Sequence, residues 1–117
     1  MIVIPFRLPG MNEIIDANRE SRYAGATQKA TYTLLARNAG QNAEPVIGRV
    51  DVVCTWYCKD RRRDPDNVSA GIKFVLDGLI QAGVLQNDGW KQIRSIRHEF
   101  SVDKQRPRVE VELKEAR

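Results

Sequence analysis

The sequence predicts an α+β fold, a two-layer sandwich in which one small mixed sheet carries helices on one face. Three observations point there. Val50, Val52, Cys54, Trp56 and Cys58 alternate along one segment, and Val109, Val111 and Leu113 along another, as half-buried strands do. Residues 12–40 and 66–82 instead place apolar side chains at helical spacing. The order strand, helix, strand, helix, strand, strand then gives every helix a sheet face to cover. At 117 residues the chain reads as one domain, 1–117, with room for one core and a size at which a dimer interface adds useful burial.

The first strand is residues 1–8, where Pro5 predicts an edge or bulge position and Pro9-Gly10 ends it. In residues 12–40, Ile14, Ile15, Ala30, Leu34 and Leu35 form the apolar side, Gly25 is a point where the helix divides, and Gly40 caps its end. Residues 46–59 form a long strand with Trp56 on the core side and Tyr57 on the opposite face, open to stacking on a base. Asp64 precedes a proline and so stays extended, outside the helix that Pro65 begins. In residues 66–82, Val68, Ile72, Val75, Leu76 and Leu79 gather on one side, with Asp66, Ala70, Lys73 and Asp77 opposite. Residues 91–100 form a strand with an irregularity, since Ile93 and Ile96 do not alternate, and 108–113 closes a small antiparallel pair.

Composition excludes several classes. Hydrophobic residues at 42% and charged residues at 29% describe a globular chain without low-complexity tracts or repeats. No apolar run approaches the roughly 20 residues of a membrane span and no signal peptide opens the chain, so a cytoplasmic protein is expected. The net charge of +4 suits a polyanionic partner. Cys54 and Cys58 lie about 13 Å apart along a strand, beyond disulfide reach, and are expected as free thiols. The single histidine, His98, supplies a zinc site poorly and reads as a surface or hydrogen-bonded residue before a general base.

The chemistry is concentrated in KDRRRDPDNVSAGIKFVLDGLIQAGVLQNDGW, residues 59–90. Arg61, Arg62 and Arg63 stand beside Asp64 and Asp66, and a third acidic position, Asp88, follows the helix. A solvated charged loop has the same composition. Carboxylates beside arginines also suit a site where a phosphate meets a metal, because hydrated Mg²⁺ takes a few hard oxygen ligands and arginine forks phosphate. Lys73 and Asp77 form an i,i+4 pair on the helix, and Asp88 within Asn87-Asp88-Gly89 is ordinary turn chemistry. Arg19, Arg22 and Lys29 make the first helical segment basic, as a solvated face or a DNA-backbone contact.

DPDN at residues 64–67, LDGL and QAGV within 76–84 and the closing Asn87-Asp88 resemble the RusA family of Holliday junction resolvases. Its members are small homodimeric Mg²⁺-dependent endonucleases of bacteria and prophages. The resemblance implies that Asp64, Asp66 and Asp88 bind one or two Mg²⁺ ions, that Lys73 is the catalytic lysine, and that the substrate is branched DNA cut in recombination and repair. Nucleases of flaps or forks and a non-catalytic branched-DNA-binding module are the alternative readings. Two departures stand out. Lys73 lies three residues further from Asp66 than the lysine of the best-known member, and Asn87 replaces the first aspartate of the family's closing pair. One helical face would carry Asp66 and Lys73, with Asp88 returning beside them.

Overall fold

A computed structural model describes residues 1–116. Its elements are β1 (Ile2–Pro5), α1 (Met11–Glu20), α2 (Arg22–Gly40), β2 (Val50–Cys58), α3 (Pro65–Ser69), α4 (Ile72–Gln81), β3 (Ile93–Val102) and β4 (Arg108–Glu115). The four strands form one mixed sheet in the order β1-β4-β2-β3, with β2 parallel to β3 and antiparallel to β4. The α+β sandwich is therefore present as expected.

Alternation builds the sheet's inner face. Ile2 and Ile4 pair with Val111 and Val109, and Cys54 and Trp56 pair with the same two valines from the other side. All six lie in the buried core, joined by Val50, Val52, Phe74, Val75 and Leu79. The opposite face carries Asp51, Thr55, Tyr57, Arg108 and Glu110, none of them buried. Trp56 is core, and both cysteines are free, as the sequence indicated.

Four expectations are corrected. The last two strands do not pair with each other: β4 inserts between β1 and β2, and β3 joins the far side of β2. The helical segment 12–40 divides at Ser21, whose Oγ accepts from the Ala24 amide and caps α2, and not at Gly25. Gly25 lies inside α2, where a Cβ would collide with Asn18 of α1, so it permits close helix packing. The segment 66–82 is two helices and not one. At Ala70-Gly71 the backbone bonds tighten to i→i−3, from the Gly71 amide to the Val68 carbonyl and from the Phe74 amide to the Gly71 carbonyl, and Gly71 lies against Trp56 and Leu8, where an added Cβ would come within 3.1 Å of the indole. Finally, Tyr57 is not wholly open to a base: the Arg108 guanidinium covers one face of its ring at 3.8 Å.

The irregularity in β3 is real. Val50 pairs with Ile93 but Asp51 with Ser95, which leaves Arg94 as an extra residue. Its Nε donates to Asp51 Oδ1 at 3.0 Å, and Ser95 Oγ donates to the same oxygen at 2.6 Å. The bulge is thus held from both sides.

Candidate active-site cleft

β2, α3, α4 and β3 form a parallel crossover. Residues that follow β2 therefore lie at one end of the sheet and residues that precede β3 at the other. A cleft of about 370 Å³ opens at the first end, lined by Cys58, Asp60, Arg61, Arg63, Asp64, Pro65 and Val68, with Phe100, Ser101 and Val102 of β3. This is the carboxyl end of the only parallel strand pair among the described residues, where sheets of this kind offer their ligand crevice.

Local chemistry fixes the acidic side of the cleft. Asp64 is extended at φ −68°, ψ 153° and forms the N-cap of α3, with Pro65 in the first turn as the sequence required. Asp66 follows two residues later, also exposed. The Asp64 carboxylate is left open to the cleft, since no side-chain hydrogen bond from it caps the helix. Asn67 is occupied otherwise. Its Oδ1 accepts from the Asn12 amide at 3.0 Å and serves the start of α1, and Gly10 leaves room for it where a Cβ would approach to 2.6 Å. The asparagine of DPDN thus locks α3 to α1, a role that spacing alone did not reveal.

The three arginines diverge. Arg61 lines the cleft and is exposed, and Arg62 is exposed with its Nε 3.7 Å from Asp60. Arg63 turns inward: it donates to the Leu8 carbonyl at 3.1 Å and lies 3.5 Å from Glu13. Glu13 also accepts from Arg7 at 2.6 Å and from the Gly10 amide at 3.1 Å. Arg63 therefore ties the cleft loop to the chain entering α1, and it is less exposed than Arg61 and Arg62. Glu13, the hub of this tie, gave no signal in the sequence beyond its place in the first turn of a helix.

Asp88 does not return beside the other aspartates. The Val50 amide donates to the Gln92 carbonyl, and Arg49 Nε to the Trp90 carbonyl, so the turn carrying Asp88 sits at the start of β2. Asp64 and Asp66 follow its end, and β2 is roughly 26 Å long by strand rise. Among the described residues, no three His, Cys, Asp or Glu side chains converge to hold a metal ion. The crossover topology is the reason.

Lys73 does not line the cleft. Its Nζ lies 3.6 Å from Asp77 Oδ1, one turn further along α4, and Lys29 reaches the other Asp77 oxygen at 3.9 Å. The turn at Ala70-Gly71 breaks the continuous helix on which Lys73 and Asp66 would have shared a face. Arg19 ends α1 and Arg22 begins α2, both exposed. His98 is bonded: Trp56 Nε1 donates to its Nδ1 at 2.9 Å, which places the neutral imidazole's proton on Nε2. Burial holds its pKa below the usual histidine value.

Two exposed carboxylates either side of Pro65 fit the donor set of Mg²⁺, which keeps several waters and takes one or two carboxylates together with substrate phosphates. A cage of three carboxylates from one chain does not fit this fold. A comparison with curated proteins finds no match. The family model described as Endodeoxyribonuclease RusA matches residues 16–114, a span holding α2, the crossover, the cleft residue Asp64 and its neighbour Asp66. The chain belongs to the RusA family of endodeoxyribonucleases.

Proposed function

We propose that this nuclease resolves four-way DNA junctions by hydrolysing phosphodiesters in recombination and repair, acting in the cytoplasm. The observation that carries this reading is the cleft itself. Asp64 and Arg61 line it together at the carboxyl end of the parallel strands, with exposed Asp66 two residues on, joining oxygen donors to a phosphate fork. Asp64 and Asp66 would hold Mg²⁺, which when bound supplies Lewis acidity and charge neutralisation at the phosphate. Arg61 and Arg62 hold the flanking phosphates, and the tie from Arg63 to Leu8 and Glu13 keeps the loop in place. Lys73 is assigned no step, because it does not line the cleft and its Nζ pairs, loosely, with Asp77.

A homodimer belongs to the same proposal. A junction with two-fold symmetry is cut at paired positions, which a C₂ dimer matches with two equivalent sites. The dimer also answers the position of Asp88. One chain cannot carry this carboxylate to Asp64 and Asp66, whereas a second copy running the opposite way can.

The test compares a mobile synthetic junction with linear duplex, in Mg²⁺ and in EDTA. Paired cuts in the junction, absent with EDTA and with Asp66→Asn, are expected. The variant should still bind the junction, as tightly or more so, because it removes a negative charge near phosphate. Faster cutting of flaps or forks would reassign the substrate. Binding without cleavage in Mg²⁺ would mark a non-catalytic module, the reading that the distance of Asp88 favours. Equal cleavage by variant and wild type would remove Asp66 from the site.

A further inference from the structure

One large aromatic side chain is held out to solvent on a strained backbone. Phe6, the first residue after β1, has φ 72° and is 67% exposed. A bulky L residue rarely takes that conformation, and such outliers gather at ligand clamps and active sites. Phe6 lines a second cavity, of about 390 Å³, together with Val3, Pro5, Gln105, Arg106, Pro107 and Arg108. Val3 alternates with the buried Ile2 and Ile4, so this cavity lies on the sheet face away from the helices. Its size is that of a small-molecule site.

The cavity sits at the cleft's end of the sheet. Arg108 pairs with Pro5 on one side and with Tyr57 on the other, which brings Phe6 level with the residues that follow β2. Between them is a smaller hollow of about 180 Å³. Arg7, Lys59 and Arg62 line it, and it shares Cys58, Asp60 and Arg63 with the cleft. Phe6 and Arg7 are chain neighbours, so a path runs from the cleft over a basic saddle to the apolar cavity. β1 is two strands from β2, roughly 10 Å across the sheet. About three nucleotides cover that distance at duplex rise.

Charge and surface chemistry choose the occupant. Lys59 and Arg106 are exposed, and among the described residues neither side chain enters an ion pair. Arg7 and Arg62 each turn one nitrogen to a carboxylate, of Glu13 and Asp60, and both stay exposed. The Asp103 carboxylate near Arg106 is already taken, by the Arg108 guanidinium and by the Gln105 and Arg106 amides. The cavity itself offers a ring, two prolines and guanidinium planes, and no carboxylate lines it. A flat π-system stacks on such surfaces, and the cations beside it suit the phosphates of its backbone. We infer that this cavity takes an unpaired nucleobase, stacked on Phe6, from a DNA strand whose phosphates cross Lys59, Arg62 and Arg7 on leaving the cleft. The inference rests on the proposed reading of the cleft as a DNA site and adds to it a place for a base outside the duplex. Stacking reads no base edge, so the subsite tolerates any sequence.

The test compares a short single-stranded oligothymidylate with an abasic sugar-phosphate strand of the same length. Binding to the full chain is read by fluorescence anisotropy in EDTA, so that nothing is cut. The unsubstituted chain should prefer the strand with bases by about tenfold, the size of one stacking contact. Phe6→Gly should lose that preference and keep its affinity for the abasic strand, and Phe6→Trp should restore the preference. Glycine takes a positive φ without strain, so Phe6→Gly should unfold at a urea midpoint near that of the unsubstituted chain. If it does not fold, Phe6→Leu, apolar but without a ring, decides by the same comparison. Equal affinity of the unsubstituted chain for both strands, or a variant without the ring that keeps the preference, overturns the subsite. Paired junction cuts with no preference for bases overturn the subsite alone. A preference that depends on Phe6, without junction cuts, overturns the nuclease reading and leaves the subsite standing.

Discussion

Cys54 and Cys58 share a face of β2 but not an environment. Burial pushes the Cys54 thiol up to about 12, leaving almost no thiolate at neutral pH. Cys58 is half-buried and lines the cleft with Asp64. Iodoacetamide near pH 8 is therefore expected to label Cys58 and spare Cys54 until the protein unfolds, as mass spectrometry would read. Bound junction DNA should slow the labelling of Cys58. Unchanged labelling would mean that DNA does not occupy the cleft. Asp51 gives a pH signature of a different kind. Hydrogen bonds from Arg94 and Ser95 hold its carboxyl at about 2, below the ordinary 3.8. The unfolded chain then takes up the proton first on acidification. The stability difference between wild type and Asp51→Asn should be constant above about pH 4 and shrink as pH falls towards 2, measured as urea midpoints.

Helix packing turns on close approaches that no pattern of hydrophobicity displays. Gly78 of α4 sits so close to α2 that a Cβ would lie 2.7 Å from the Arg37 amide nitrogen and 2.8 Å from the Thr33 carbonyl oxygen. Backbone cannot yield there as a flexible side chain would, so Gly78→Ala should destabilise the protein by about 1–3 kcal/mol, the usual cost of overpacking, seen in thermal or urea unfolding. The same distinction separates what was legible in the sequence from what was not. Alternation located β2 and β4, and the mismatch of Ile93 with Ile96 announced the bulge, because those signals are local. The partner of each strand was not local: nothing in residues 108–113 says that they insert between β1 and β2. Asp64 outside its helix followed from Pro65, whereas the need for glycine at 71 comes from Trp56 and Leu8, distant in sequence. The position of Asp88 relative to Asp66 failed for the same reason, since it depended on where the crossover ran.

Across the whole molecule, the net charge of +4 draws DNA without specifying where it lies. The exposed cations that follow β2 are Lys59, Arg61 and Arg62, while Arg63 donates to Leu8 and pairs with Glu13, and Lys73 pairs loosely with Asp77. Replacing Arg61 and Arg62 with alanine should weaken junction binding and flatten its dependence on log salt, by about 0.9 for every phosphate no longer neutralised. Lys73→Ala should leave that slope nearly unchanged and cleavage within a few-fold, measured by fluorescence anisotropy over several salt concentrations and by single-turnover cutting. A fall in cleavage as deep as that of Asp66→Asn would return the lysine to the site. Arg19→Ala with Arg22→Ala reads whether DNA also reaches the α1–α2 junction.

The sheet order β1-β4-β2-β3 has a temporal side. β1 is the first strand to leave the ribosome, and its only neighbour, β4, is the last. At bacterial synthesis rates the interval is roughly 5 to 20 seconds. Throughout it, Ile2 and Ile4 have no sheet to join, and one edge of β2 stays bare. A nascent chain halted before Arg108 therefore lacks an inner strand of the sheet, and the domain gains its fold only once β4 has been made.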